Sequence, residues 1–223
     1  MTKKLFLQAM MKFFCGLVLV ALLLFLPAWT LRYWQGWLFI AILFVPMFAA
    51  GVFMMFRAPE LLKKRLNAKE EENDQKLVLV LSAVMFLAAF LVAGFNARFH
   101  WLTAPNWLVW AAAAVFLCGY LMYAEVMREN AYLSRTVEVQ DNQKVIDTGL
   151  YGVVRHPMYS ATLLLFLSMG FVLGSPISFL ILLFYIPIIV LRIRNEEKVL
   201  AQGLEGYSDY QKKVKYRLVP FIW

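Results

Sequence analysis

The stretch Asp147-Thr148-Gly149-Leu150-Tyr151-Gly152-Val153-Val154-Arg155-His156-Pro157-Met158-Tyr159 separates two apolar runs and gathers Gly, Arg, His, Pro and Tyr in one place. Its reading turns on what a proline does to its neighbours. Pro157 suits the first position of a helix, where a missing N–H costs no hydrogen bond, and it pushes His156 out of helical geometry into a cap. The strip is therefore a loop that feeds a helix start. The N–H groups of Met158, Tyr159 and Ser160 are expected to stay free at that mouth, which favours an anionic ligand group. Arg155 and Tyr159 are expected beside the same first turn.

Downstream lie two short apolar arms, 158–173 and 177–191, joined by Gly174-Ser175-Pro176, a tight-turn sequence. At about 1.5 Å per residue each arm covers only about 22–24 Å of a hydrocarbon core of about 30 Å. The pair either spans thinly or forms a re-entrant hairpin, and both ends return to one side. Pro187 is expected to kink the second arm.

Upstream, 13–26 (continuing to about Leu31), 37–56, 77–95 and 107–126 are four apolar runs near the roughly 20 residues that cross a bilayer. Pro27-Ala28-Trp29 is a poor cleavage site, so the first run reads as a retained span and not a signal peptide. Hydrophobic residues make up 62% of the chain and mean hydropathy is +0.67, far above a soluble domain. The expected fold class is an all-α integral membrane protein. It has five to six transmembrane helices, including a C-terminal helical hairpin, and a polar site formed by loops and helix ends at the cytoplasmic side, which the resemblance given below implies is a cofactor site. One membrane domain, 1–223, is expected, with four spans in 1–126 and the strip and hairpin in 127–223.

All 22 Lys and Arg except Arg32 and Arg98 fall in segments on one side of these spans. The positive-inside rule therefore puts both termini and the strip in the cytoplasm, and it explains the net charge of +8 without nucleic acid. Trp29, Tyr33, Trp34, Trp37, Trp101 and Trp107 mark an aromatic belt on the other side. Cys15 and Cys118 sit in apolar runs and read as packing residues; no metal-ligand cluster is spaced for use. The loop 57–76 mixes Lys63-Lys64-Arg65 with Glu70-Glu71-Glu72 and reads as a charge-paired interfacial helix.

A second constellation follows the hairpin, Arg192-Ile193-Arg194-Asn195-Glu196-Glu197. Arg192 and Glu196 are four apart and share a helix face. Because the arms are antiparallel, this face returns to the end of the bundle that holds Pro157. The tail adds Tyr207, Tyr210, Lys212, Lys213, Lys215, Arg217 and Pro220-Phe221-Ile222-Trp223, read as head-group anchoring with a lid as second role.

Together these residues resemble the isoprenylcysteine carboxyl methyltransferase family of polytopic membrane enzymes. The pattern is carried by Gly149-Leu150-Tyr151, Arg155-His156-Pro157-Met158-Tyr159, the hairpin, Glu196-Glu197, Tyr207-Ser208-Asp209-Tyr210 and Pro220, over roughly residues 125–220. It departs at Ala161, where the family often has Gly, and at Gly203, one position further from Tyr207 than usual. The resemblance implies a membrane methyltransferase using S-adenosylmethionine. Cofactor contacts are implied at Gln140, Gln143, Lys144, Val145, Ile146, Tyr151, His156, Pro157, Met158, Tyr159 and Glu196, with Arg192 as the catalytic residue reaching the methyl acceptor. Implied partners are the bilayer and a lipophilic or prenylated acceptor.

Chemically this is coherent. A carboxylate acceptor is ionised at pH 7 and needs no general base, so no triad is required. The competing readings are a thiol or lipid-amine methyltransferase, an NADPH-dependent sterol-reductase-like enzyme, and a channel or scaffold. A channel is disfavoured by the lack of a charged residue at the centre of any span.

Overall fold

In hydrocarbon every backbone N–H and C=O must be paired within the protein, and runs of Leu, Ala, Met and Phe achieve this as helices. The computed structural model describes residues 3–66, 73–130, 132–133, 139–140 and 142–223, and the regular structure among them is entirely helical. The first elements are α1 (Lys3–Ala28), α2 (Trp34–Arg57), the short α3 (Pro59–Leu66), α4 (Asn73–Phe99) and α5 (Asn106–Glu129). The four long ones contain the four expected runs. The first stops at Ala28 and not near Leu31, because Trp29 turns into the left-handed region at φ 55° just after Pro27. Only α3 represents the expected interfacial helix; Glu70, Glu71 and Glu72 lie outside the described residues.

The second half comprises α6 (Pro157–Val172), α7 (Pro176–Leu182), α8 (Tyr185–Gly203) and α9 (Tyr207–Lys213). Five stretches among the described residues are long and apolar enough to cross a membrane: Leu5–Ala28, Trp34–Arg57, Gln75–Phe99, Asn106–Glu129 and Pro176–Gly203. The sixth, α6, has 16 residues and reaches only about 24 Å.

The hairpin turn is built as its sequence dictates. Gly174 has φ 68°, Pro176 takes the first position of α7, and the Ser175 hydroxyl accepts the Ser178 N–H. Pro187 does not kink a continuous arm. The break lies at Leu183 and Phe184, where the Phe184 N–H donates to the Ile181 carbonyl and the Ile186 N–H to that of Leu183, both three-residue bonds. Pro187 falls in the first turn of α8, where no N–H is needed.

Fully buried Leu24, Phe39, Phe116, Leu173, Leu182 and Ile189 form the centre of the bundle. Outward faces carry Leu7, Phe14, Val18, Val84 and Leu121, which suit a lipid solvent. Cys15 and Cys118 lie on exposed faces, so they are not packing residues; the apolar run hid which side of the helix each occupies. Tyr33 also leaves the expected belt. Its buried hydroxyl donates to the Leu173 carbonyl at 2.6 Å, while Trp29, Trp101 and Trp107 stay exposed.

Close helix crossings sit at glycines. A Cβ on Gly170 would lie 2.4 Å from the Phe179 backbone nitrogen and 2.5 Å from its Cα, neither of which can swing away. Gly170→Ala is therefore expected to cost about 1–3 kcal/mol, the range for overpacking, read as an earlier thermal transition in detergent. Gly51→Ala, whose Cβ meets nothing within 4 Å, should melt like the wild type.

Candidate functional site

Antiparallel passage of α5, α6 and α8 brings the strip, the end of α8 and α9 to one end of the bundle. The strip folds as a 3₁₀ turn over Gly149–Gly152, with His156 capping and Pro157 opening α6. The expected free N–H groups are partly spoken for. Tyr159 and Ser160 donate theirs to the His156 carbonyl, at 3.0 and 3.2 Å. The mouth also faces two carboxylates, so it is not an anion site; burial next to Glu196 and Glu197 outweighs a partial helix charge.

Those two glutamates diverge because neighbours on a helix point about 100° apart. Glu197 is buried. One of its oxygens accepts Arg155 Nε at 2.7 Å and His156 Nε2 at 3.3 Å, and the other accepts Arg217 Nε at 2.8 Å. Arg155 also donates to the carbonyls of Val214 and Lys215, at 2.7 and 3.0 Å. The N–H groups of Arg155 and His156 donate to the Tyr216 and Arg217 carbonyls, both at 2.9 Å. The tail is thus sewn onto the strip by four direct hydrogen bonds and by the Glu197 carboxylate, which takes Arg217 as well as Arg155.

Glu196 belongs to a second string. The buried Tyr159 hydroxyl donates to Glu196 Oε2 and accepts Arg192 Nε at 2.8 Å. His156 stacks on Tyr159 with ring centres 5.7 Å apart, and its Nδ1 lies 3.9 Å from Glu196. Arg192, Tyr159 and Glu196 therefore form one hydrogen-bonded line.

This line borders a cleft. Its polar wall includes Gln143, Lys144, Tyr151, His156, Tyr159, Arg192 and Glu196, and its apolar wall Val145, Ile146, Met158, Leu200 and Leu204. Of the residues implied from the sequence, Gln140 and Pro157 are absent from the lining. The Gln140 side chain donates to the Tyr132 carbonyl at 2.6 Å and its N–H to Gln143 Oε1 at 2.9 Å, so it braces the loop. Pro157 is buried as the helix start.

The structure adds Asn130, Tyr132, Leu133, Arg155, Leu200, Leu204, Tyr207 and Tyr210 to the lining. Tyr207 and Tyr210 are buried with Leu204 and Val214, and so are not head-group anchors. Their spacing of three, which puts them on one helix face, was the available signal. Tyr210 donates to the Tyr151 carbonyl at 2.7 Å, and Tyr151 accepts from Asn130 at 2.9 Å. Burial, with the nearby glutamates, pushes the Tyr207 phenol well above its usual range and keeps it a donor. Its oxygen is buried with no hydrogen-bond partner among the described residues. At the rim, Lys213 beside Asp147 holds that carboxyl below its ordinary value.

Comparison with known proteins finds a family model, phospholipid methyltransferase, matching residues 107–205. That span holds α5, the strip, the hairpin and the glutamate pair, and leaves out the tail. The chain is also 24% identical over 134 residues to a Delta(14)-sterol reductase of Methylotuvimicrobium alcaliphilum, covering 53% of this chain and 31% of the reductase. It is 25% identical over 91 residues to a Delta(14)-sterol reductase of Mus musculus, covering 40% of this chain and 22% of that protein. The chain therefore spans under a third of the length of these curated relatives. Over residues 107–205, under half of the chain, the sequence is thus similar to the phospholipid methyltransferase family.

Proposed function

We propose that the cleft binds S-adenosylmethionine and that the chain passes its methyl group to a lipophilic acceptor bearing a carboxylate, of the isoprenylcysteine kind. The observation that carries this reading is the line Arg192–Tyr159–Glu196 at the edge of an apolar bundle. It sets a fixed cation and a fixed anion one phenol apart.

The residues present fit such a cofactor. Glu196 is an acceptor suited to an ammonium or ribose hydroxyls, the orphaned Tyr207 hydroxyl is a donor awaiting an acceptor, and Val145, Ile146, Leu200 and Leu204 offer faces for a purine ring. When bound, S-adenosylmethionine supplies an electrophilic methyl group for an in-line displacement. The protein's part is orientation. Tyr159 fixes the Arg192 guanidinium, which holds the acceptor carboxylate by charge-assisted bonds. His156 is positioned by its Nε2–H bond to Glu197 and by stacking on Tyr159. In this reading 127–223 is the catalytic region of a single membrane domain. The cleft and both termini face the cytoplasm, where the cofactor is dissolved, and the acceptor's tail enters sideways from the bilayer.

The sterol-reductase relatives favour a second reading, in which the cleft takes NADPH. A lipid amine is a third acceptor class; there Glu196, reached through Tyr159, is the group placed to take a proton. Calorimetric titration of the detergent-purified protein with S-adenosylmethionine, and separately with NADPH, decides the cofactor. Saturable S-adenosylmethionine binding, lost in His156→Ala and Glu196→Ala, is expected. NADPH binding with none of S-adenosylmethionine would overturn the proposal.

A further inference from the structure

At the opposite end of the bundle, beyond the roughly 24 Å length of α6, lies a second cavity of about 360 Å³. It opens between the α1–α2 turn, the α4–α5 turn and the α6–α7 turn. Its lining includes Thr30, Arg32, Gln35, His100, Thr103 and Gly174. Nothing in methyl transfer uses it.

The charge of this end is one-sided. No Asp or Glu occurs in 28–36, 95–108 or 171–178, the stretches that form this end. The turns around the cavity carry Arg32, Arg98 and His100 and no carboxylate. Arg98 is engaged with aromatic rings, its guanidinium carbon 5.7 Å from the Trp29 ring centre and 5.1 Å from that of Phe99. Arg32 has no ion pair among the described residues; a Thr30 oxygen accepts its backbone N–H at 3.1 Å, not its side chain. A guanidinium with no ion pair among the described residues, in a cavity whose lining includes hydroxyl and amide groups beside Trp34 and Leu173, selects an anion with several oxygens and an apolar neighbour.

Depth specifies the source. Trp29, Trp101 and Trp107 are exposed around this end, and such rings settle at head-group level. We infer that the cavity binds the phosphate of a phospholipid head group, in the leaflet opposite the methyl-transfer cleft. Arg32 is its charged ligand, and Gln35, Thr30 and Thr103 are neutral partners. His100 is secondary: its Nδ1 lies 3.3 Å from the Arg98 carbonyl, so when that nitrogen donates, Nε2 can donate only as imidazolium.

The test is native mass spectrometry with thermal melting of the delipidated full chain in detergent, adding phosphatidylglycerol, diacylglycerol or inorganic phosphate. Phosphatidylglycerol should bind and raise the melting temperature, and diacylglycerol should not. Arg32→Gln is expected to weaken binding about tenfold, as for loss of a charged hydrogen-bond donor. Arg98→Gln, which removes the same charge from the same end outside the cavity, should leave binding within about twofold. A shift with inorganic phosphate alone keeps the anion site but makes its source soluble and overturns the lipid assignment. Equal losses in the two variants, or equal shifts with diacylglycerol, overturn the site itself.

Discussion

Glu197→Ala should lower the stability of the protein by about 3–5 kcal/mol, the usual cost of removing one partner from a buried ion pair. Glu197 is 6% exposed and Arg155 8%, so the Arg155 charge it leaves behind has little water to turn to, while Arg217 is part-exposed. Three donors, Arg155 Nε, His156 Nε2 and Arg217 Nε, lose their acceptor at once. Glu197→Gln keeps the volume and one carbonyl acceptor while losing the charge, so it should fall between alanine and wild type. Thermal melting in detergent ranks the three proteins. Limited proteolysis should show cleavage after residue 213 rising in the same order, because Glu197 adds a link between Arg217 of the tail and Arg155 of the strip and fixes the Arg155 side chain that holds the Val214 and Lys215 carbonyls. An alanine variant that melts with the wild type and keeps its tail protected would show that the node contributes nothing.

The second large effect separates two residues that share one phenol. On the proposed reading, Glu196→Ala weakens S-adenosylmethionine binding about 10- to 100-fold, the loss of a bond to a charged group. Arg192→Ala should leave that affinity within about threefold. It should lower kcat/KM for a prenylcysteine acceptor by at least tenfold, because the carboxylate loses its counter-charge in the transition state. Tyr159→Phe removes the hydroxyl that both residues use, and so should reduce both quantities. Calorimetry for the cofactor and steady-state rates for the acceptor give the two numbers for each variant. If Glu196→Ala and Arg192→Ala produce the same pattern, the division of labour along this line is wrong. If both leave methyl transfer intact, the site is elsewhere.

Much of this was legible in the chain because hydrocarbon is a simple solvent. Four apolar runs of membrane length, a Gly-Ser-Pro turn and a proline after histidine are local signals, and each became the element it announced. The placing of Arg192 and Glu196 on one helix face was also local, one helical turn apart. What stayed hidden depends on direction or on distance along the chain. Cys15 and Cys118 look packed in a run that is apolar all round, since no polar face marks the outside. The helix break falls at Leu183–Phe184 and not at Pro187, because a proline in a first turn needs no partner. Glu197, rather than its neighbour, receives Arg155 and His156, and a third partner, Arg217, lies 20 positions further on. Tyr207 and Tyr210 read as anchors until the loop residues Val139 and Val145 fold against them.

The stitching of the tail to the strip also orders events during synthesis. The first four spans can enter the bilayer one after another as they emerge, because their helices close their own hydrogen bonds. The polar cleft cannot follow that schedule. Arg155 joins the carbonyls of Val214 and Lys215, 59 and 60 positions later, and its carboxylate partner is 42 positions away. Until residue 217 has left the ribosome, Arg155 and Glu197 lack part of their complement of bonds, and closing so long a loop is slow. The cleft is therefore completed late and nearly all at once. A nascent chain halted at the end of α8 would have its apolar helices yet lack the Val214 and Lys215 carbonyls that Arg155 uses.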